Sequence, residues 1–195
     1  MKIGSAPRIM IVAALCALAL IGVVISEGAA RASGQEVLLP VQAVDPRSLL
    51  SGHYLEIDLN QTLGPSAHCP EEETGWDWIA LKPIGGGVYG VAGGAQSRDQ
   101  TEQIGPLAVK GTFECSSPTP ASKTDAAGEN GWLHLNIGVE RFYIDQAQGE
   151  HIAQVLRQAP LNKPNVFAIV SVSADGQARL KGLQVEGRRL LLNWF

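Results

Sequence analysis

The sequence has little positive charge. It contains 15 Lys and Arg against 19 Asp and Glu, a formal charge of −4. Residues 1–32 hold three of the basic and one of the acidic side chains, so the rest of the chain carries 12 basic and 18 acidic residues, a charge near −6. Nucleic acids and anionic lipids are bound by basic surfaces. The composition therefore disfavours both as partners of the chain beyond residue 32.

Recognisable catalytic motifs are also absent. No G-x-S-x-G turn presents a serine nucleophile, and no C-x-x-C or H-x-x-x-H pair offers the spacing of a structural zinc site. A histidine triad could draw only on a few residues: His53, His134 or His151 with Asp45 or Asp58. We therefore expect no catalytic residues, no cofactor and no metal.

Aromatic residues make up only 6% of the chain, and cysteines number three. The four tryptophans are expected in the core or at its boundary: Trp76, Trp78, Trp132 and Trp194. After residue 32 only Cys69 and Cys115 remain, and an even number of cysteines in an exported domain favours a disulfide. The alternative is a metal site, built from both cysteines and His68 with His53, His134 or His151.

One long apolar run occupies the N-terminus. Lys2 and Arg8 precede 17 uncharged residues, from Ile9 to Ile25, and Glu27 is the first charge after them. Basic residues before such a run place the rest of the chain outside the cytoplasm. The run is either an anchor or a signal peptide, because small-x-small cleavage sites follow it at 28–30 and 30–32. We expect a retained anchor, with residues 1–32 forming the helix and a polar stalk over 26–36, and residues 33–195 forming an extracytoplasmic domain.

The rest of the chain alternates mostly with period two. This pattern predicts ten short strands, at 37–44, 54–59, 76–81, 88–91, 107–113, 132–137, 141–144, 166–172, 178–185 and 189–194. The pair Asp175-Gly176 predicts a hairpin turn. A helix is predicted from Gln146 to Arg157, and a flexible loop over 116–131. The expected fold is thus mainly β, an antiparallel sandwich or barrel-like domain with one short surface helix, preceded by a transmembrane helix.

Three segments carry a resemblance to a known family. They read DPRSLLSGHYLEIDL at 45–59, VERFYIDQAQGEHIAQVLR at 139–157 and DGQARLKGLQVEGRRL at 175–190. In this order they resemble the signature segments of the GDYXXLXY family of bacterial membrane-anchored proteins. The first segment departs from the family pattern at three positions: His53 stands for Asp, Ile57 for Leu and Leu59 for Tyr.

The resemblance implies a signature or interaction site rather than a known activity, because the family has none established. Its candidate residues here are Asp45, Pro46, Arg47, Gly52, His53, Tyr54 and Arg141. The resemblance further implies an integral membrane protein as partner, and a place in the bacterial inner membrane with the C-terminal domain in the periplasm or at the cell exterior. No nucleic-acid partner is expected.

Elementary chemistry suggests how the signature works. Asp45 is expected to cap a turn, Pro46 to fix its φ, and Arg47 to pair with a carboxylate such as Glu56, Asp58 or Glu140. The motif would then be structural. The most informative test is whether Arg47, His53 and Arg141 converge.

Two other functions stay open. The first is a hydrolase with an unrecognised site, because the P-x-x-L-x-x-G-x-Y run also resembles the nucleophile strand of signal-peptidase-type enzymes, although Ala43 stands where their serine would be. The second is a domain that binds a small ligand or an envelope polymer. A deep pocket with His53, a carboxylate and a hydroxyl would favour the first, and an apolar cavity free of titratable groups the second.

Overall fold

A long N-terminal helix leads directly into a β domain. The computed structural model describes residues 5–42, 54–63, 68–70, 77–117, 131–144, 146–158 and 164–192. Helix α1 spans Ser5–Ser33, and an 18-residue window within its stretch Ile9–Ser33 has a mean hydropathy of 2.9 with none of its side chains buried. At 1.5 Å per residue, these 25 residues extend over about 37 Å, more than the roughly 30 Å of a bilayer core. The helix is long and apolar enough to cross a membrane.

The polar segment after the apolar run belongs to α1. We expected a separate stalk over 26–36, but the helix continues to Ser33, and the first strand begins at Gln35. Ala29, Ala30 and Ala32 account for the difference, because alanine has the highest helix propensity of all residues. Helix and domain are joined by Gly34 alone.

Twelve strands and two further helices follow in the described residues. The strands are β1 Gln35–Pro40, β2 Tyr54–Glu56, β3 Asn60–Leu63, β4 Trp78–Gly85, β5 Val88–Ala95, β6 Leu107–Lys110, β7 Thr112–Ser116, β8 Gly131–Asn136, β9 Arg141–Tyr143, β10 Val166–Val172, β11 Ala178–Val185 and β12 Arg188–Leu191. The helices are α2 Arg98–Ile104 and α3 Gln146–Gln158. The prediction of a mainly β fold with a surface helix at 146–157 is confirmed.

The strands form one large sheet and two small ones. The large sheet has the order β12-β11-β10-β1-β5-β4-β6, and the small sheets are β3-β8-β7 and β2-β9. Strand β1 pairs with β10 antiparallel along its full length, but with β5 in parallel at Leu38 and Val88. The large sheet is therefore mixed, whereas we expected only antiparallel neighbours.

A single apolar core joins the sheets and α3. The predicted face of α3 is buried, with Ile152, Val155 and Leu156 each at most 8% exposed. They belong to the same cluster as the inward side chains of the strands, among them Leu39, Ile79, Leu133, Val170 and Leu183. The outer face of β8 carries Trp132, which is 46% exposed. Trp132 is thus a surface residue, and Trp78 is half-buried.

The predicted hairpin at Asp175-Gly176 is present between β10 and β11. Gly176 has φ 81°, a value that glycine adopts at little cost. A Cβ there would lie 2.3 Å from the Trp78 ring, and the Gly176 carbonyl accepts a hydrogen bond from Lys110 N at 2.8 Å. The turn therefore packs tightly against β4 and β6.

The structure contains two elements that were not predicted from the sequence, and one predicted strand is in fact two strands. Strand β3 and helix α2 were not predicted. The strand predicted at 107–113 is two strands, β6 and β7, because the chain turns at Gly111, where a Cβ would come within 2.4 Å of Asn136 O. The predicted loop at 116–131 falls largely outside the described residues, of which Ser116 ends β7 and Gly131 begins β8.

Candidate functional site

The end of α1 is fixed to the β10–β11 hairpin by an arginine. Nε and Nη2 of Arg179 donate to the two carboxylate oxygens of Glu27 at 2.7 and 3.2 Å. The remaining donors reach Ser173 Oγ at 2.7 Å and Gln177 Oε1 at 3.1 Å. The Glu27 carboxylate raises the pKa of Arg179. The Arg179 side chain is only 13% exposed, so water screens this pair less than an ordinary surface pair.

A second ion cluster follows at the start of β1. Lys181 Nζ donates to Glu36 Oε2 at 2.9 Å, and Arg189 Nη2 binds the other oxygen. These cations, Lys181 foremost, hold the pKa of Glu36 below its usual value. Glu36 lies on β1, while its partners lie on β11 and β12, so the cluster connects the chain just after α1 to the edge of the large sheet.

Beside the first cluster lies a cavity of about 390 Å³. Its wall includes Arg31 from α1, Glu140 and Arg141 from the start of β9, and Arg179 from β11. Arg141, a residue singled out from the sequence, therefore lies next to the end of the apolar helix. The spacing of residues in the sequence gives no hint of this proximity.

The pairing of β2 with β9 joins two of the family-like segments. Tyr54 is opposite Tyr143 and Glu56 opposite Arg141, and Ile57 N donates to the Glu140 carbonyl at 2.6 Å. The other candidate residues of the signature, Asp45, Pro46, Arg47, Gly52 and His53, lie outside the described residues, as does Ala43. The expected pairing of Arg47 with a carboxylate stays a prediction.

One of the histidine–aspartate combinations considered from the sequence is close in space. Nδ1 of His134 on β8 lies 2.7 Å from Oδ1 of Asp58 and 3.0 Å from Oδ1 of Asn60. The contact with Asn60 has the geometry of a hydrogen bond, whereas Oδ1 of Asp58 lies close without that alignment. In the described part of the chain, no serine or threonine hydroxyl hydrogen-bonds to His134. His134 and Asp58 are thus of the residue types that serve as base and as its carboxylate partner in a catalytic triad, but no hydroxyl nucleophile joins them among the described residues.

The two cysteines of the β domain form the expected disulfide. The sulfurs of Cys69 and Cys115 are 2.14 Å apart, with Cα atoms separated by 5.8 Å. A disulfide sulfur is no thiolate ligand, so the alternative of a metal site with both cysteines is wrong. No group of three or more His, Cys, Asp or Glu suited to a metal occurs among the described residues.

A second cavity, of about 350 Å³, has no charged side chain among the described residues that line it. It lies where β3 meets the ends of β1 and β10 and the β4–β5 hairpin. Its lining combines amides and a hydroxyl with apolar residues: Gln42, Asn60, Gln61 and Thr62, with Pro40, Ile84, Val88, Pro164 and Phe167. Among the described lining residues none titrates near neutral pH, but the amides and the hydroxyl make the cavity polar on one side, so it meets the expectation of an apolar binding cavity only in part.

Comparison with known proteins identifies the chain. A model of the GDYXXLXY protein family matches residues 16–183. The chain belongs to the GDYXXLXY family. No curated protein and no solved structure matches it.

The three GDYXXLXY-like segments are neighbours in the fold. The first and second meet in the β2–β9 ladder. The second and third both line the cavity beside α1, through Arg141 and Arg179. The second and third segments thus line the cavity where the apolar helix joins the domain, and the first segment pairs with the second. Sequence reasoning singled out Arg141 but missed Glu27, which lies in no motif, and Arg179, which lies in the third family-like segment at a position that the family pattern leaves variable.

Proposed function

We propose that this GDYXXLXY protein is a membrane-anchored, extracytoplasmic accessory domain that binds an integral membrane protein and has no catalytic activity of its own. The observation that carries the proposal is the contact between Glu27 and Arg179. This contact holds the β domain against the end of an apolar helix, so a domain anchored by α1 would lie at the bilayer surface. From there it could reach the extramembrane loops of a neighbour.

Retention of α1 as an anchor is supported by its packing. The helix contacts β10 and β11, and Glu27 and Arg31 take part in its junction with the domain. Cleavage after Ala30 or Ala32 would remove Glu27 from Arg179. A segment that completes the ion pairs of the folded domain is better suited to an anchor than to a discarded signal.

The proposed location is the inner membrane of a bacterium, with the domain in the periplasm or at the cell exterior. Lys2 and Arg8 precede the apolar run, which favours a cytoplasmic N-terminus. The disulfide favours an oxidising compartment for the domain. The basic N-terminal residues and the disulfide both favour a domain outside the cytoplasm.

Attachment is tested by fractionating cells that express the full-length protein at its native level. We expect the protein to resist high-salt and carbonate washes and to be released only by detergent. A soluble exported form beginning at Arg31 or Ser33 would contradict the proposal. A Glu27→Gln variant should stay in the membrane, because it changes the junction and leaves the apolar run intact.

The partner is tested by photo-crosslinking from two exposed aliphatic positions. Leu191 on β12 is 50% exposed, and Ile104 on α2 is 45% exposed. Strand β12 pairs with β11, which contacts α1, so a crosslinker at Leu191 should capture one discrete integral membrane protein. Position 104 serves as the matched control. Equal and diffuse adducts from both positions would contradict a specific membrane partner.

A further inference from the structure

We infer that the uncharged cavity beside β3 binds a neutral saccharide unit. Three neighbouring residues of β3, Asn60, Gln61 and Thr62, line it on one side, with Gln42 beside them. Phe167 and Ile84 add apolar surface. Its volume of about 350 Å³ falls within the range of small-ligand sites. The inference concerns a ligand of the domain and does not depend on membrane attachment.

The polar groups of the cavity match hydroxyl groups. A carboxamide offers two donors and an acceptor, and a sugar hydroxyl can both donate and accept. Gln42 Nε2 donates to Thr62 Oγ1 at 2.8 Å, which orients the amide and leaves its oxygen to accept from a ligand. The Gln61 carboxamide lies against Gly90 of β5, where a Cβ would come within 3.1 Å of its oxygen. The half-buried cavity thus presents an amide with capacity for a ligand.

The lining also disfavours charged ligands. The domain carries many ionised side chains, yet none of those in the described residues lines this cavity. An ionic ligand would lose hydration on entry and find no counter-charge, which is costly. A neutral ligand with one polar and one apolar face suits the site, since the ring C–H face of a sugar can stack on an aromatic such as Phe167.

The test is calorimetric titration of the full chain in lipid nanodiscs, which avoids sugar-based detergents. The probes are chitotetraose, a neutral N-acetylglucosamine tetramer, and free N-acetylglucosamine. We expect saturable binding of the tetramer. Tighter binding of the tetramer than of the monomer would assign the site to an envelope polymer, and equal binding would assign it to a free sugar. Absence of saturable binding of both probes overturns the inference.

Matched variants tie the binding to the cavity. Gln61→Glu places an unpaired charge in the uncharged lining and should weaken binding by about tenfold or more. Gln103→Glu makes the same change on the exposed surface of α2 and should leave binding unchanged. If Gln61→Glu fails to fold, Ile84→Ser at the exposed hairpin replaces it. Equal affinity of the wild type and the cavity variant would overturn the inference, even if both bind sugar.

Discussion

Arg179 binds both carboxylate oxygens of Glu27, although the two residues are 152 positions apart in the chain. The same guanidinium also donates to Ser173 and Gln177 in its own hairpin. One side chain thus organises the β10–β11 turn and attaches α1 to it. The orientation of the domain relative to its helix depends on this arginine.

Replacing Arg179 should therefore weaken the fold. Arg179→Met removes four hydrogen bonds, three of them exposed to solvent, and we expect the free energy of unfolding to fall by about 0.5–1.5 kcal/mol. Arg188→Met, on the exposed part of β12, is the control and should change it by less than about 0.5 kcal/mol. Chemical denaturation of the detergent-solubilised protein measures both. Equal changes in the free energy of unfolding for the two variants would mean that the Arg179 contacts do not stabilise the fold.

Removing the disulfide should lower the free energy of unfolding more than replacing Arg179 does. Cys69 and Cys115 are 46 residues apart, and a loop of this length corresponds to about 4 kcal/mol in the chain-entropy account. We expect Cys69→Ser with Cys115→Ser to lower stability by about 2–4 kcal/mol. Cys16→Ser should have no effect on the domain, because Cys16 is an exposed free cysteine on α1.

Thiol counting checks the same bond independently. Under denaturing, non-reducing conditions, the full-length protein from an oxidising compartment should show one reactive thiol, that of Cys16. Three reactive thiols would refute the disulfide.

The two hairpin glycines offer a matched comparison. Gly176 and Gly187 have φ values of 81° and 83°, so alanine is strained at both. A Cβ at Gly176 would also strike the Trp78 ring, whereas none of the neighbouring atoms lies within 4 Å of a Cβ at Gly187. We expect Gly176→Ala to destabilise by about 1–3 kcal/mol more than Gly187→Ala, as judged by thermal unfolding. A smaller effect at Gly176 would show that the Trp78 contact is not needed.

The Glu36 cluster predicts a pH dependence. Lys181 and Arg189 lower the pKa of Glu36 in the folded protein, so its contribution to stability is present above the unfolded pKa of about 4.5 and is lost as the pH falls through the folded value. Glu36→Gln should be less stable than wild type at pH 7 by about 0.5–1 kcal/mol, and the difference should shrink on acidification below pH 4.5. Glu186→Gln, in the exposed β11–β12 turn, is the control. A difference independent of pH would exclude the ion pairs as its cause.

Local patterns predicted the regular elements well. Strands β10 and β11 have the predicted bounds, because an apolar run in β10 and recurring apolar residues in β11 are separated by the Asp175-Gly176 turn. Strand β3 was missed since its sequence, Asn60–Leu63, has only one apolar residue. Helix α2 has seven residues and no apolar face, although Ser97 and Gln100 form a capping pair that could have indicated it.

The candidate sites were less accessible to prediction. Arg141 was selected through its family-like segment, and Asp58 with His134 through residue type. The contact of Glu27 with Arg179 and the uncharged cavity are assembled from distant parts of the chain. One sequence carries no information on which distant residues meet, so both could be recognised only in the fold.

The position of β1 in the centre of the large sheet has a consequence for biogenesis. This strand follows α1 directly, yet it pairs along its full length with β10, which ends at Val172. Its main partner therefore emerges from the ribosome and the export channel long after β1 itself. If α1 is already held in the lipid, the central strand waits at the membrane surface with exposed edges until the C-terminal strands arrive. Chains truncated before β10 would leave it unpaired, and quality-control proteases or chaperones would meet such chains as tethered, incomplete sheets.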